Sequence, residues 1–102
     1  MLHVVVTMKI KEGRMDAFLA LCAELAPQVL AEPGCHGYEF TRDARGSMLP
    51  QAPDPRRIVL VERWESAAAL KAHLETEHMR AAGPRLAELR ESSEVLVLEP
   101  VH

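Results

Sequence analysis

Histidine is the side chain that ordinarily changes charge near neutral pH, and this chain carries five. They are His3, His36, His73, His78 and His102, and none pairs with another His, a Cys or a carboxylate at a spacing diagnostic of a metal, so no metal site is expected. Glu75 and Glu77, beside His73 and His78, read as solvated helix carboxylates. Cys22 and Cys35 form no CxxC pair and are expected to be free thiols. There is no Walker loop, GxSxG elbow, Rossmann glycine cluster or HExxH, which removes the commonest nucleotide, serine-hydrolase and zinc chemistries.

The elements that must position these groups follow from periodicity. His3 to Ile10 alternates Val4, Val6, Met8 and Ile10 with His3, Val5, Thr7 and Lys9, the pattern of a pleated strand. From about Arg14 to Ala31, Met15, Phe18, Leu19, Cys22, Leu25, Ala26, Val29 and Leu30 make one apolar helical stripe. Pro27 within it predicts a kink or weakened bond near Ala23. Glu32-Pro33-Gly34 ends the helix, and Cys35 to Arg42 is a second strand with His36, Tyr38 and Phe40 facing one way. Residues 43–56 are rich in proline and lack periodicity, and they predict a long hairpin loop, either a lid or partner-contact arm or simply solvated chain. Arg57 to Glu65 is a third strand with Ile58, Leu60, Glu62 and Trp64 on one face. Ser66 suits the N-cap of a helix from Ala67 to about Thr76. A further helical stretch is expected to be interrupted at Gly83-Pro84, and Glu94 to Glu99 is the last strand.

This β-α-β-β-α-β order predicts the α+β class: one ferredoxin-like domain over residues 1–102 with a four-stranded antiparallel sheet. Such a sheet carries its helices on one face and should be polar on the other. Val5, Val59, Val61, Leu96 and Leu98 contradict that, since they oppose the apolar residues already assigned to the core. A contiguous apolar sheet face usually marks an interface, so a symmetric homodimer with its sheets packed face to face is expected. Composition is ordinary for a globular chain, 48% hydrophobic and 26% charged with a net charge of -3. No basic run marks a nucleic-acid face, and no stretch is long and apolar enough for a membrane span. The N-terminal segment lacks the marks of a signal peptide, which makes the cytoplasm the expected location.

One segment carries a more specific message. Glu62, Trp64, Ser66, Ala69, Leu70, His73, Thr76, His78 and Met79 form the pattern ExWxSxxALxxHxxTxHM, and Glu32-Pro33-Gly34-Cys35 is followed by Tyr38. Together with Lys11-Glu12-Gly13-Arg14 and Phe18-Leu19, these resemble the antibiotic biosynthesis monooxygenase family, in order along nearly the whole chain. The resemblance implies a dimeric α+β barrel of ferredoxin-like protomers. It also implies activities ranging over quinol monooxygenases, oxygenases of aromatic polyketides, haem-degrading enzymes and an isomerase of a signalling sugar derivative. In the haem-degrading branch an Asn late in the first strand accompanies the Trp and His matched by Trp64 and His73; here that position is read as Thr7, which argues against haem degradation.

Triplet oxygen reacts slowly with closed-shell organic molecules, so an oxygenase without a cofactor must turn its substrate into an electron-rich anion. A base beside an apolar pocket, with donors to hold the anion, achieves this. The resemblance together with this chemistry names His73 as base, Trp64 as a wall for an aromatic ring, and Tyr38 and Thr7 as hydrogen-bonding helpers. His78, Phe40 and Glu62 are the expected substrate contacts. Trp64, Tyr38 and Phe40 read equally as core residues, and His73 as a packing histidine. The leading expectation is a cofactor-independent monooxygenase of a quinol-like or polyketide aromatic. The alternatives are a non-catalytic dimeric module for a small hydrophobic ligand and a haem-degrading monooxygenase.

Overall fold

The computed structural model describes all residues from Met1 to His102. The elements in chain order are β1 (Leu2–Ile10), α1 (Met15–Leu30), β2 (Cys35–Arg42), β3 (Arg57–Trp64), α2 (Ala67–Leu74), α3 (Glu77–Leu89) and β4 (Arg90–Leu98). The four strands form one sheet in the order β2-β3-β1-β4, with every pair antiparallel. This is the expected ferredoxin-like arrangement, with the second helical segment divided into two helices. No helix is long and apolar enough to cross a membrane.

Alternation in β1 and β3 decides which side chains meet the helices. Val4, Val6, Met8 and Ile10 are buried, as are Ile58, Leu60, Glu62 and Trp64, and they pack against Phe18, Leu21, Cys22, Leu25 and Val29 of α1. The α1 stripe is rotated slightly from the expected one: Leu21 is buried, whereas Leu19 and Leu30 are exposed. Pro27 does not interrupt α1, and Pro84 does not interrupt α3. The helix expected from Ala67 to about Thr76 ends at Leu74, Glu75-Thr76 separates it from α3, and the further interruption expected at Gly83-Pro84 does not occur. Ser and Thr chemistry supplies both caps: Ser66 Oγ accepts from the Ala69 N–H at 3.1 Å and Thr76 Oγ1 accepts from the Met79 N–H at 3.3 Å. Leu86 and Leu89, buried beneath α3, hold the helix together across the proline.

β4 begins at Arg90, four residues before the expected start at Glu94, because Ser92 and Ser93 pair with Lys9 and Met8 on the edge of the sheet. The helices do not cover this edge. Val95 and Val97 are 57% and 55% exposed although they share the core-side face with Val6 and Val4.

Two further features bear on the site. Gly34 has φ +81°, and a Cβ there would stand 2.6 Å from the Ala69 Cβ, so the turn after α1 can press onto the start of α2 only because this residue is glycine. The Gly34 carbonyl accepts from the Glu65 N–H at 2.8 Å, pinning the turn to the end of β3. The loop between β2 and β3 is clamped at its base. Arg57 donates to both carboxylate oxygens of Asp43, and the Asp54 N–H donates to Asp43 Oδ2 at 2.9 Å.

Candidate active site

The floor of a cavity of about 240 Å³ is built from two cross-strand rows. Tyr38, Glu62, Val4 and Val97 stand side by side in register, and Phe40, Leu60, Val6 and Val95 form the next row. Leu70, His73 and Leu74 of α2 and Met79 and Leu86 of α3 form the roof. Twelve of the 16 lining residues are hydrophobic, so the few polar groups that reach the cavity dictate what it can do.

His73 is only 2% exposed. Its Nδ1 lies 3.1 and 3.0 Å from the two carboxylate oxygens of Glu32, and its ring stacks on Trp64 with centroids 4.5 Å apart. Nε2 has no hydrogen-bond partner in the chain. Since no sealed side-chain nitrogen or oxygen in the molecule lacks a partner, Nε2 opens onto the cavity that His73 lines. The same reasoning directs Glu62 Oε2 to the cavity, because Oε1 alone is engaged, accepting from Trp64 Nε1–H at 2.8 Å.

Burial shapes the acidity of these groups. Desolvation raises the Glu62 carboxyl above its usual range; the Trp64 N–H and nearby His73 pull it back in part, while Glu32 pushes it further up. The Tyr38 phenol is raised well above its ordinary value, first by burial and then by the neighbouring Glu62 carboxylate, so it stays protonated and can donate. Cys22 is pushed up to about 12 by burial, which keeps it an inert thiol beneath the site.

The expected site residues divide on this geometry. His73, Tyr38, Phe40 and Glu62 meet at the cavity. Thr7 does not: it lies opposite Val59 and Glu94 on the sheet face that carries no helices, because the pleat sets it out of phase with Val6 and Met8. Trp64 is fully buried and is not a cavity wall; it sits behind the site, bonded to Glu62 and stacked on His73. His78 lies on the far side of Glu32, its Nε2 2.6 Å from Oε2, and borders a shallow surface groove with Leu21, Glu24, Gln28 and Arg85. Glu32, which the sequence pattern marks only as a turn residue, carries a site contact with both histidines. Its presence in the EPGC segment, beside a glycine that forces close approach to α2, was the available signal.

A ferredoxin-like fold with an apolar pocket between sheet and helices, whose polar lining residues are His73, Glu62, Arg90 and Ser93, defines a class suited to acid–base chemistry on a small hydrophobic molecule. Residues 1–85 match the antibiotic biosynthesis monooxygenase family, and the chain belongs to it. It is 41% identical over 83 residues to the "Probable quinol monooxygenase YgiN" of Escherichia coli K12, covering 79% of this chain and 80% of that relative. A crystal structure described as an antibiotic biosynthesis monooxygenase superposes over 100% of both chains with a TM-score of 0.85 and 29% identity. Rv0793 from Mycobacterium tuberculosis superposes with a TM-score of 0.84 at 25% identity, over 99% of this chain and 95% of that one.

Proposed function

We propose that this chain is a cofactor-independent monooxygenase that oxidises a quinol-like or polyketide-derived aromatic with molecular oxygen, with His73 as general base. The observation that carries the reading is the unpartnered Nε2 of a buried histidine opening into an apolar cavity, its other nitrogen held by a carboxylate. Family membership and the quinol monooxygenase likeness support the same conclusion. Nε2 takes the proton of a substrate hydroxyl or activated C–H, and the Tyr38 hydroxyl donates to the oxyanion that forms. The electron-rich anion then reduces oxygen. One oxygen atom enters the product and the other leaves as water, all four electrons coming from the substrate, so no external reductant is consumed. Phe40, Leu70 and Met79 supply apolar walls, and Glu62 is the second polar contact. Trp64 acts through Glu62 and His73.

The test is oxygen consumption by the purified protein with a panel of quinols and anthrones. With the substrate found, His73→Ala should lower kcat/KM by roughly 10² to 10⁴. Unchanged turnover would remove His73 from the mechanism.

The functional unit in this reading is a homodimer. The helix-free face of the sheet carries Val5, Val59, Val61, Leu96 and Leu98, with Leu96 49% and Leu98 44% exposed, an apolar surface that a second copy would cover. Sedimentation at micromolar concentration should give twice the 11.4 kDa chain mass, and a stable monomer would refute the pairing.

A further inference from the structure

We infer that Glu32 is the positioning residue that sets the tautomer of His73 and supports its protonated state, with His78 fixing the carboxylate from the solvent side. The inference rests on the base role proposed for His73. It adds two residues that act through that base rather than on substrate.

An ionised carboxylate only accepts, so a ring nitrogen at hydrogen-bond distance from it must donate. His73 Nδ1 reaches both Glu32 oxygens, at 3.1 and 3.0 Å, and therefore carries the proton. In the neutral ring Nε2 is then the lone pair, and that is the nitrogen left for the cavity. Without Glu32 nothing in the chain would stop the ring from adopting the other tautomer, whose N–H would face the substrate and could not accept its proton.

The carboxylate is itself held. His78 Nε2 donates to Oε2 at 2.6 Å from the groove side. The turn that carries Glu32 is pressed onto α2 by Gly34, and the His73 carbonyl accepts from the Thr76 hydroxyl at 2.8 Å. Base and carboxylate are thus fixed from both ends. Glu32 has a side chain only 8% exposed, so its charge is little screened by solvent. When His73 takes a proton during turnover, the imidazolium forms against that charge, which stabilises the charged state created by the reaction.

Other titratable groups face the two rings and bear on any pH profile. Tyr38 of β2 and Glu62 of β3 face His73, whereas Glu24 of α1 and Arg85 of α3 border the groove beside His78. Glu62 makes no hydrogen bond to the His73 ring, so it cannot choose the tautomer.

Imidazole ¹⁵N NMR of the wild-type protein, at a pH where the rings are neutral, should show His73 in the Nδ1–H form. Glu32→Gln keeps the shape of the side chain and removes its charge. In that variant kcat should fall at least about tenfold with little change in KM, and the Nε2–H form of His73 should gain population, because the amide can turn its NH2 group toward Nδ1. His78→Gln, which keeps an N–H donor to Oε2, should lower kcat by less than Glu32→Gln does. A wild-type His73 found in the Nε2–H form, or a Glu32→Gln protein whose kcat and His73 tautomer match the wild type, would overturn the inference. A merely structural Glu32 would lower the amount of folded protein without changing the tautomer or the kcat of the folded molecules. Failure of the wild-type protein to consume oxygen with any substrate would refute the oxygenase reading alone, because the imidazole tautomer decides the role of Glu32 independently.

Discussion

Replacing Trp64 with Phe should destabilise the protein strongly and in a pH-dependent way. Trp64 is fully buried, and its Nε1–H is the one donor to Glu62, a carboxyl that is itself buried. Two terms add. Removing a hydrogen bond to a charged, desolvated group costs about 1.5–3 kcal/mol. The smaller ring leaves a void on the order of 40 Å³, worth about 1 kcal/mol. The sum near neutral pH is therefore about 2.5–4 kcal/mol, a large share of the roughly 5–15 kcal/mol of a typical domain. Protonating Glu62 removes the unpaired charge and leaves mainly the void, so the penalty should shrink toward about 1–2 kcal/mol in acid. Urea unfolding at pH 8 and pH 4, at one fixed protein concentration, would measure both values from the midpoint with m unchanged. Oxygen uptake should also fall, since the ring that stacks on His73 has been exchanged. A penalty below about 1 kcal/mol that is equal at the two pH values would show that the Trp64–Glu62 bond does not hold a charged carboxyl.

Three further outcomes are expected. Glu62→Gln keeps an acceptor for Trp64 and removes the ionisable group. Because burial raises the folded-state pKa of Glu62 above 4.5, the folded form binds its proton more tightly than the unfolded chain does, and wild-type stability falls as pH rises from that value. The variant should therefore melt higher than wild type at pH 7 and lose that slope; a lower melting temperature would refute the sign. Asp43 shows the opposite case: Arg57 and the Asp54 N–H lower it from 3.8 to about 2, so its contribution is present above 3.8 and lost as pH falls toward 2. Asp43→Asn should lower the melting temperature at pH 5 to 7 by a margin that vanishes in strong acid. Gly34→Ala should cost at least about 2 kcal/mol, from the left-handed backbone plus the contact with Ala69, and should lower kcat by displacing Glu32. Calorimetry and oxygen uptake on the variant would check both parts.

Several of these groups reached the site by routes that local sequence does not encode. Period-2 alternation in Val4 to Ile10 and Ile58 to Trp64 revealed the strands and the side that would be buried, because pleating is a property of the strand alone. That same alternation placed Thr7 out of phase with Val6 and Met8, so its separation from the cavity was legible in the pattern although the family likeness suggested otherwise. Ser66 was recognisable as a cap because capping is settled within three residues. Pro84 misled because a proline removes one helix bond, and burial of Leu86 and Leu89 outweighs that loss in a way no local window shows.

By itself, then, the sequence determined the element order, the core-side residues of the strands and the apolar character of both sheet faces, and it named His73, Tyr38, Phe40 and Glu62 as site candidates alongside Trp64, Thr7 and His78 without separating them. These depend on short-range periodicity or on motifs that the chain carries intact. Only the tertiary structure decided that Trp64 stands behind the cavity rather than in it, that His78 faces a separate groove, and that Glu32 joins the two histidines from 41 and 46 residues away. The tautomer of a buried imidazole depends on which acceptor packs against it, and that contact exists only once the turn at Gly34 has closed onto α2.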